Sequence, residues 1–354
     1  MEILYDIPIL GLVFQFLGYL VEVLPRIAPG ILAGATPIAL GAMCGILCER
    51  SGVVNIGIEG MMLTGAFVGY ATASVVAGMV PDTAGTLVFG LTLPLVAAVV
   101  TAVAASVALA ALHAWLSISV RADQIISGTI INIAALGLTS YLNRLIGSGL
   151  GGGGRFSEFE PPAALVELPV VGWIFEAFLA QGPLAMSVII IVIVMQVLLF
   201  RSRWGLRTRA VGEHPKAADT VGINVIRLRY RNVVLGGVLA GLAGAYLTLE
   251  ATGTFQNGMT AGRGFIALAA VIFGRWTPVG ALLAALLFAG SERLGVSIGL
   301  RPPEGQLGDL LAGIPDQFYA ALPYVITIVI LAGVVGRSIP PAAVGRPYEK
   351  ESTA

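Results

Sequence analysis

ERSGVVNIGIEG, residues 49 to 60, sets Glu49, Arg50, Asn55 and Glu59 between two strongly apolar stretches. If the flanks lie in a membrane, neighbouring Glu49 and Arg50 can compensate each other's charge, which leaves Glu59 without an obvious partner. A helix restarting near Asn55 puts Glu59 one turn along on nearly the same face. A carboxylate accepts hydrogen bonds and an amide both donates and accepts, so the pair suits a hydroxyl-bearing solute that need not be charged. Ionisable groups inside a membrane are costly and usually face a bundle interior or a water cavity, which makes Asn55 and Glu59 the candidate translocation-path residues. Two other readings stay open: charge resting cheaply at the cytoplasmic interface, and a role in helix packing alone.

Other chemistry is scarce. No G-x-x-x-x-G-K-[ST] sequence occurs, so the chain has no phosphate-binding loop of its own, and transport driven by ATP would need another subunit to bind it. His113 ends an apolar run beside Trp115 and His214 lies in a basic loop, with no spacing that suggests a Ser-His-Asp arrangement. GSGLGG, residues 147 to 152, formally fits a dinucleotide fingerprint, but it follows an apolar helix and lacks a preceding strand, so it reads as an external loop. Cys44 and Cys48 share one helical face in an apolar run and read as small buried packing residues. An enzyme, a cofactor, a metal site and a nucleic-acid partner are not expected.

The elements that must position Asn55 and Glu59 follow from composition. Of the 354 residues, 57% are hydrophobic and 11% charged, with a mean hydropathy of +0.91. A soluble domain carries roughly 25% charged residues. Apolar runs of about the 20 residues that a bilayer core requires recur along the chain, continuous and without period-two alternation, so the spans are helices. The expected fold is an all-α polytopic bundle, a single membrane domain over 1–354. About ten segments are expected, at 7–24, 28–48, 53–76, 88–115, 123–146, 183–200, 231–251, 264–275, 279–294 and 319–337. The segment 264–275 is too short to cross alone and reads with its successor as a broken helix or a re-entrant pair.

Formal net charge is zero, yet the charges are unevenly placed. Arg201, Arg203, Arg207, Arg209, Lys216, Arg227, Arg229 and Arg231 face only Glu213 and Asp219 in one loop, which the positive-inside rule puts in the cytoplasm. Residues 147–182 carry Glu158, Glu160, Glu167 and Glu176 against Arg155, one span away, and read as extracytoplasmic. The amino terminus has no basic n-region and reads as a retained helix, 1–27. It is followed by a first helical half over 28–146, a cytoplasmic loop over 201–230, a second half over 231–337 and a tail over 338–354. Ten spans place both termini in the cytoplasm.

ALGAMCGILCERSGVVNIGIEGMMLTGAF and IALAAVIFGRWTPVGALLAALLFAG each run from apolar residues through a charged break into a helix rich in small residues. They read as an internal repeat of the kind transporters build around discontinuous helices, or as two helices alike only because small residues favour close packing. Within the basic loop, VGEHPKAADTVGI suggests a short helix started near Pro215 and stopped at Gly222.

ERSGVVNIGIEGMMLTGAF, then WGLRTRAVGEHPKAADTVGINV, then GGVLAGLAGAYL together resemble the permease subunits of bacterial ABC importers related to ribose and branched-chain amino acid permeases. Within that group they are most similar to nucleoside and simple-sugar permeases, and the resemblance runs from about Pro25 to Arg337. It implies a multi-pass protein of the bacterial cytoplasmic membrane, surrounded by lipid. It also implies two cytoplasmic ATPase subunits, a second permease subunit, often a different chain, and an extracytoplasmic binding lipoprotein that delivers the solute. By the same resemblance the loop holds a coupling helix that docks on the ATPase, carried by Ala210, Val211, Gly212, Glu213, Pro215, Ala217, Ala218 and Gly222. His214 stands where that family pattern suggests Asn. A secondary transporter or channel using Glu59 as an ion or proton site is the alternative, and the coupling-type loop argues against it. The solute stays open between nucleoside and sugar. Tyr246, Phe255, Phe265 and Trp276 can each serve the solute or packing.

Overall fold

The computed structural model describes residues 8–80, 91–169, 171–315 and 338–349, with the single positions Phe318, Ala321 and Val325. Helix α1 (Pro8–Glu49) is followed by α2 (Ile58–Met79), α3 (Leu93–Ala114, extended by a π-helical turn over Trp115–Val120) and α4 (Gln124–Ile146). Two short helices, α5 (Ala163–Val166) and α6 (Gly172–Leu179), precede α7 (Pro183–Arg201), α8 (Arg203–Glu213) and α9 (Pro215–Thr220). The chain continues through α10 (Val225–Ala245, extended by a π-helical turn over Tyr246–Thr252), α11 (Arg263–Phe273), α12 (Pro278–Leu300) and α13 (Gln306–Ala312). Among the described residues 7 helices are long and apolar enough to cross a membrane. The chain is the all-helical polytopic bundle that its composition requires. The first three residues of GSGLGG, Gly147–Gly149, form a short 3₁₀ turn at the end of α4.

The expected count of ten is not reached among these residues, for three reasons. Helix α11 has only 11 residues, and the expected span 319–337 lies almost wholly outside the described residues. The third reason is a correction: the spans expected at 7–24 and 28–48 are one helix of 42 residues, about 63 Å long. Pro25, Pro29 and Pro37 all lie inside it. Each proline forfeits one backbone hydrogen bond, whereas unwinding in hydrocarbon would strip several groups of partners at once, so the helix persists.

The chain packs as two compact units. One comprises Met1–Ala35, Phe159–Gln181 and Leu286–Arg337. Its described apolar cluster is Tyr19, Val23 and Ile298, with Ile27, Leu294 and Leu311 packed against it. The Tyr19 hydroxyl donates to the Arg301 carbonyl at 3.0 Å, and Gln181 Nε2 donates to the Pro29 carbonyl at 3.0 Å.

The other unit comprises Thr36–Glu158, Gly182–Ala285 and Ser338–Ala354. Helices α2, α3 and α10 form its centre. Lipid offers no hydrophobic drive between helices, so close association depends on small residues that let backbones meet. A Cβ at Gly241 would lie 2.6 Å from Val103 Cα, and one at Gly244 would lie 2.2 Å from the Met62 carbonyl oxygen. GGVLAGLAGAYL is thus the small face of α10 against α2 and α3.

Candidate functional site

Helix α1 stops where Gly52 turns into the left-handed region at φ 90°. The Val53 N–H reaches back to the Cys48 carbonyl at 3.0 Å, and the Ser51 hydroxyl donates to the same carbonyl at 2.8 Å. This is the glycine-terminated helix end in which orphan carbonyls are satisfied locally. α11 ends with the same backward bond, from Trp276 N to the Val271 carbonyl at 3.0 Å.

The two breaks clasp each other, which corrects the expected mutual compensation of Glu49 and Arg50. Glu49 Oε2 accepts from Trp276 Nε1, while Arg50 Nε donates to the Trp276 carbonyl at 2.9 Å and Arg50 Nη2 to that of Arg275 at 3.2 Å. Arg275 and Trp276 hold φ of 51° and 53°, a region costly for residues with a Cβ. The clasp supplies the contacts that hold them there. Adjacent residues at a helix end point apart, so each side chain finds the other break more readily than its neighbour.

Beyond Gly52 the chain has no regular secondary structure from Val53 to Asn55 before α2 begins at Ile58. Irregular backbone at membrane depth needs partners from the protein, and α3 and α4 provide them. Val54 N donates to Gln124 Oε1 at 2.7 Å, and the Val54 carbonyl accepts from His113 Nε2 at 2.9 Å. A carbonyl only accepts, so His113 carries its proton on Nε2 toward it. Asn132 Nδ2 donates to the Ile56 carbonyl at 2.9 Å, and Asn132 Oδ1 accepts from Gly60 N at 2.8 Å. Gly128 makes room for the stretch, since a Cβ there would lie 2.7 Å from Gly57 N.

Glu59, half-buried on the first turn of α2, has a partner that lies 203 residues ahead. Its Oε1 accepts from Gly262 N at 2.8 Å and its Oε2 from Gly264 N at 2.6 Å. The carboxylate thereby caps the N-terminus of α11, where unsatisfied N–H groups and the helix dipole favour negative charge. Glycine is required at 264, because a Cβ would lie 2.6 Å from Glu59 Cα. The end of α11 meets Glu49 and its start meets Glu59, so its 11 residues set the two apart by about 16 Å.

Asn55 does not share a surface with Glu59. It is 0% exposed, and its Nδ2 lies 3.8 Å from Cys44 Sγ, 3.7 Å from Cys48 Sγ and 3.6 Å from Met61 Sδ. Its Oδ1 has no hydrogen-bond partner. Both thiols are free and buried. Of the four aromatic residues, Tyr246 and Trp276 are buried and Phe255 packs edge-on against Phe67 at 5.1 Å. Phe265, on the first turn of α11, is 49% exposed.

Sequence reasoning missed Gln124 and Asn132 as partners of the break. The signal was present, as amide side chains set among the apolar residues of an expected span. It also missed Glu250, whose buried carboxylate accepts from Leu184 N at 2.7 Å and Ala185 N at 3.0 Å at the start of α7. Glu59 and Glu250 thus perform the same capping task on α11 and α7.

The segment 210–222 forms the end of α8, then α9 begun by Pro215, then a stop where Gly222 takes φ 83°. Val211 and Ala218 are buried in a cluster with Val225, Leu228 and Tyr348, and Gly212 is buried beside them. Ala210 and Pro215 are half-buried, whereas Glu213, Ala217 and Gly222 are exposed and Val221 is 74% exposed. A Cβ on Gly212 would lie 2.2 Å from the Arg50 carbonyl oxygen, so α8 abuts the break. Glu49 to Gly52 therefore lie at the basic-loop end of this unit, and the chain climbs away from that end toward Glu59.

Residues 27–331 match the family of branched-chain amino acid transport system permease components. The chain belongs to this permease family. The guanosine ABC transporter permease protein NupQ of Bacillus subtilis is 38% identical over 94% of this chain and 98% of its own length. The nucleoside ABC transporter permease protein NupC of Lactococcus lactis is 37% identical, over 93% and 98%. TsgC13 of Haloferax volcanii, provisionally named a glucose ABC transporter permease protein, is 34% identical, over 90% and 95%. The chain is a multi-pass permease subunit of an ABC transporter, a transport component and not the ATPase. A self-sufficient carrier using Glu59 as an ion site is set aside with that membership.

Proposed function

We propose that the chain forms one half of the path by which an ABC importer moves a nucleoside, delivered by an extracytoplasmic binding lipoprotein. The observation that carries this reading is the short apolar α11, whose capped N-terminus lies about 16 Å from the end that meets the break. Glu59 holds it there, with Asn132 and exposed Phe265 alongside. Asn55 serves the same path from behind, as the buried amide that seats the broken stretch against α1. Nucleosides are favoured because two of the relatives above are named for them. A simple sugar is the second reading, favoured by the relative named for glucose.

The partners follow the same logic: two ATPase subunits in the cytoplasm and a second permease chain completing the path. Ala217, Val221 and Gly222 supply an exposed, small and apolar surface beside a dense row of arginines, the kind of surface a cytoplasmic subunit can dock on. The basic loop and residues 338–349 face the cytoplasm and 147–182 faces outward. Uptake of labelled guanosine, other nucleosides and glucose, in cells lacking the subunit and in complemented cells, tests the reading. Restored uptake of nucleosides and not glucose is expected, and restored glucose uptake alone would replace nucleoside with sugar.

A further inference from the structure

The chain does not trail away after its last apolar stretch. Residues 338–349 lie across the basic-loop end of the second unit and touch several of its working parts. Ser338 Oγ donates to the Ile272 carbonyl at 2.8 Å, in the last turn of α11. Ala342 N donates to Glu213 Oε2 at 3.1 Å and Ala343 N to the Gly212 carbonyl at 2.9 Å, at the end of α8. Gly345 N donates to the Gly52 carbonyl at 3.2 Å, in the break itself. Tyr348 is buried among Val211, Ala218, Val225 and Leu228, under α9. Glu349 Oε1 pairs with Arg121 Nη1 at 2.6 Å.

Arg229, 1% exposed on α10, ties the strap to the break a second time. Its Nε donates to the Ser51 carbonyl at 3.0 Å and its Nη1 to the Arg346 carbonyl at 3.0 Å. A guanidinium offers rigid donors in a fixed fork, so it bridges two carbonyls on different segments without slack. Gly345 holds φ 74°, a left-handed conformation that turns the strap so that its N–H meets Gly52.

We propose that Ser338–Glu349 is a mechanical strap, with Gly345, Tyr348 and Arg229 as positioning residues, that carries movement of the ATPase-facing helices α8 and α9 to the break at Glu49–Gly52 and the end of α11. The strap rests on the coupling reading of 210–222. It adds a second route beside the direct approach of Gly212 to the Arg50 carbonyl, because Ala218 of α9 packs with Tyr348 of this segment. Displacement of α8 and α9 moves Gly212 and Glu213, the strap follows through its backbone bonds, and Gly52 and Ile272 follow the strap. The clasp between Glu49, Arg50 and Trp276 shares its helix ends with those two anchors, so both breaks receive the same displacement.

The test uses the whole complex in proteoliposomes: this chain, its permease partner, the ATPases and the binding protein. Three variants loosen the strap by different means: Tyr348→Ala removes the buried anchor, Gly345→Pro removes the N–H that meets Gly52 together with the left-handed turn at that residue, and a stop after Pro340 removes most of the segment. Bound ATPase per permease, ATP hydrolysed, and solute taken up per ATP are measured together. Bound ATPase and hydrolysis should persist while uptake per ATP falls roughly tenfold, the size of effect expected when an element linking two sites is cut. An unchanged ratio of uptake to hydrolysis overturns the strap. So does loss of bound ATPase, which would make the segment part of the docking surface, or failure of all three variants to accumulate, which would make it a folding element only. Val221→Glu tests the docking reading by itself: it should lose bound ATPase, and retention there would sink the coupling reading whatever the strap variants do.

Discussion

Glu59 shows how one residue can be read correctly for cost and incorrectly for partnership. A carboxylate in an apolar span must be satisfied, and two backbone N–H groups at the start of α11 satisfy it. Glu59→Ala leaves Gly262 and Gly264 N–H without an acceptor, at about 1–3 kcal/mol each. The variant should lower nucleoside uptake about tenfold or more and reduce thermal stability of the purified chain. Glu59→Gln keeps one acceptor and should be milder on both counts. Equal uptake by wild type and Glu59→Ala, at equal protein level, would remove Glu59 from the path. Phe265 supports a separate test, since stacking on a base is worth about 1–3 kcal/mol. Phe265→Ala should raise the KM for nucleosides about tenfold or more with bound ATPase unchanged, while Phe265→Tyr or Phe265→Trp should retain uptake. A KM unaltered by Phe265→Ala would assign the ring to packing against lipid or the second permease chain.

At the scale of elements, the short helices α9 and α11 matter more than the long ones. Each is too short to persist alone in water, and each is fixed by residues outside it: α11 by Glu59 and by the clasp with Glu49 and Arg50, α9 by Val211, Leu228 and Tyr348. Ala217→Arg places bulk and charge on the outer face of α9 and leaves its buried face intact. It should abolish co-purification of the ATPase subunits without changing the amount of chain in the membrane. Ala218→Arg would force charge into the cluster beneath and should instead reduce the amount of protein. If both variants behaved alike, the division of this segment into an outer docking face and an inner packing face would be wrong.

At the scale of the molecule, α1 is one helix where two spans were expected. One crossing there would put the amino-terminal end outside, and two would return it to the cytoplasm. Single cysteines at Gly11, Ser157 and Ser202, in a background with Cys44 and Cys48 replaced by alanine, test this with a membrane-impermeant thiol reagent added outside. Gly11→Cys and Ser157→Cys should label and Ser202→Cys should not. Labelling of Ser202→Cys alone would invert the orientation, and protection of Gly11→Cys would restore the amino-terminal hairpin.

The sequence by itself determined the solvent, the class of fold, the break after Glu49 and the short helix at Pro215, because each rests on composition, local periodicity or turn-forming residues read over a few positions; the family came from the resemblance of three longer motifs. Gly52 and Gly222 could be read as stops, since a left-handed residue at a helix end is a local requirement. Only the tertiary structure decided that Pro25, Pro29 and Pro37 do not end α1, that Arg50 binds the second break and not Glu49, and that Asn55 is sealed among sulfurs while Glu59 caps a helix more than 200 residues further on. In a bundle where lipid makes every apolar face nearly equivalent, the scarce polar groups choose their partners by proximity in space. Sequence distance carries almost no information about that choice.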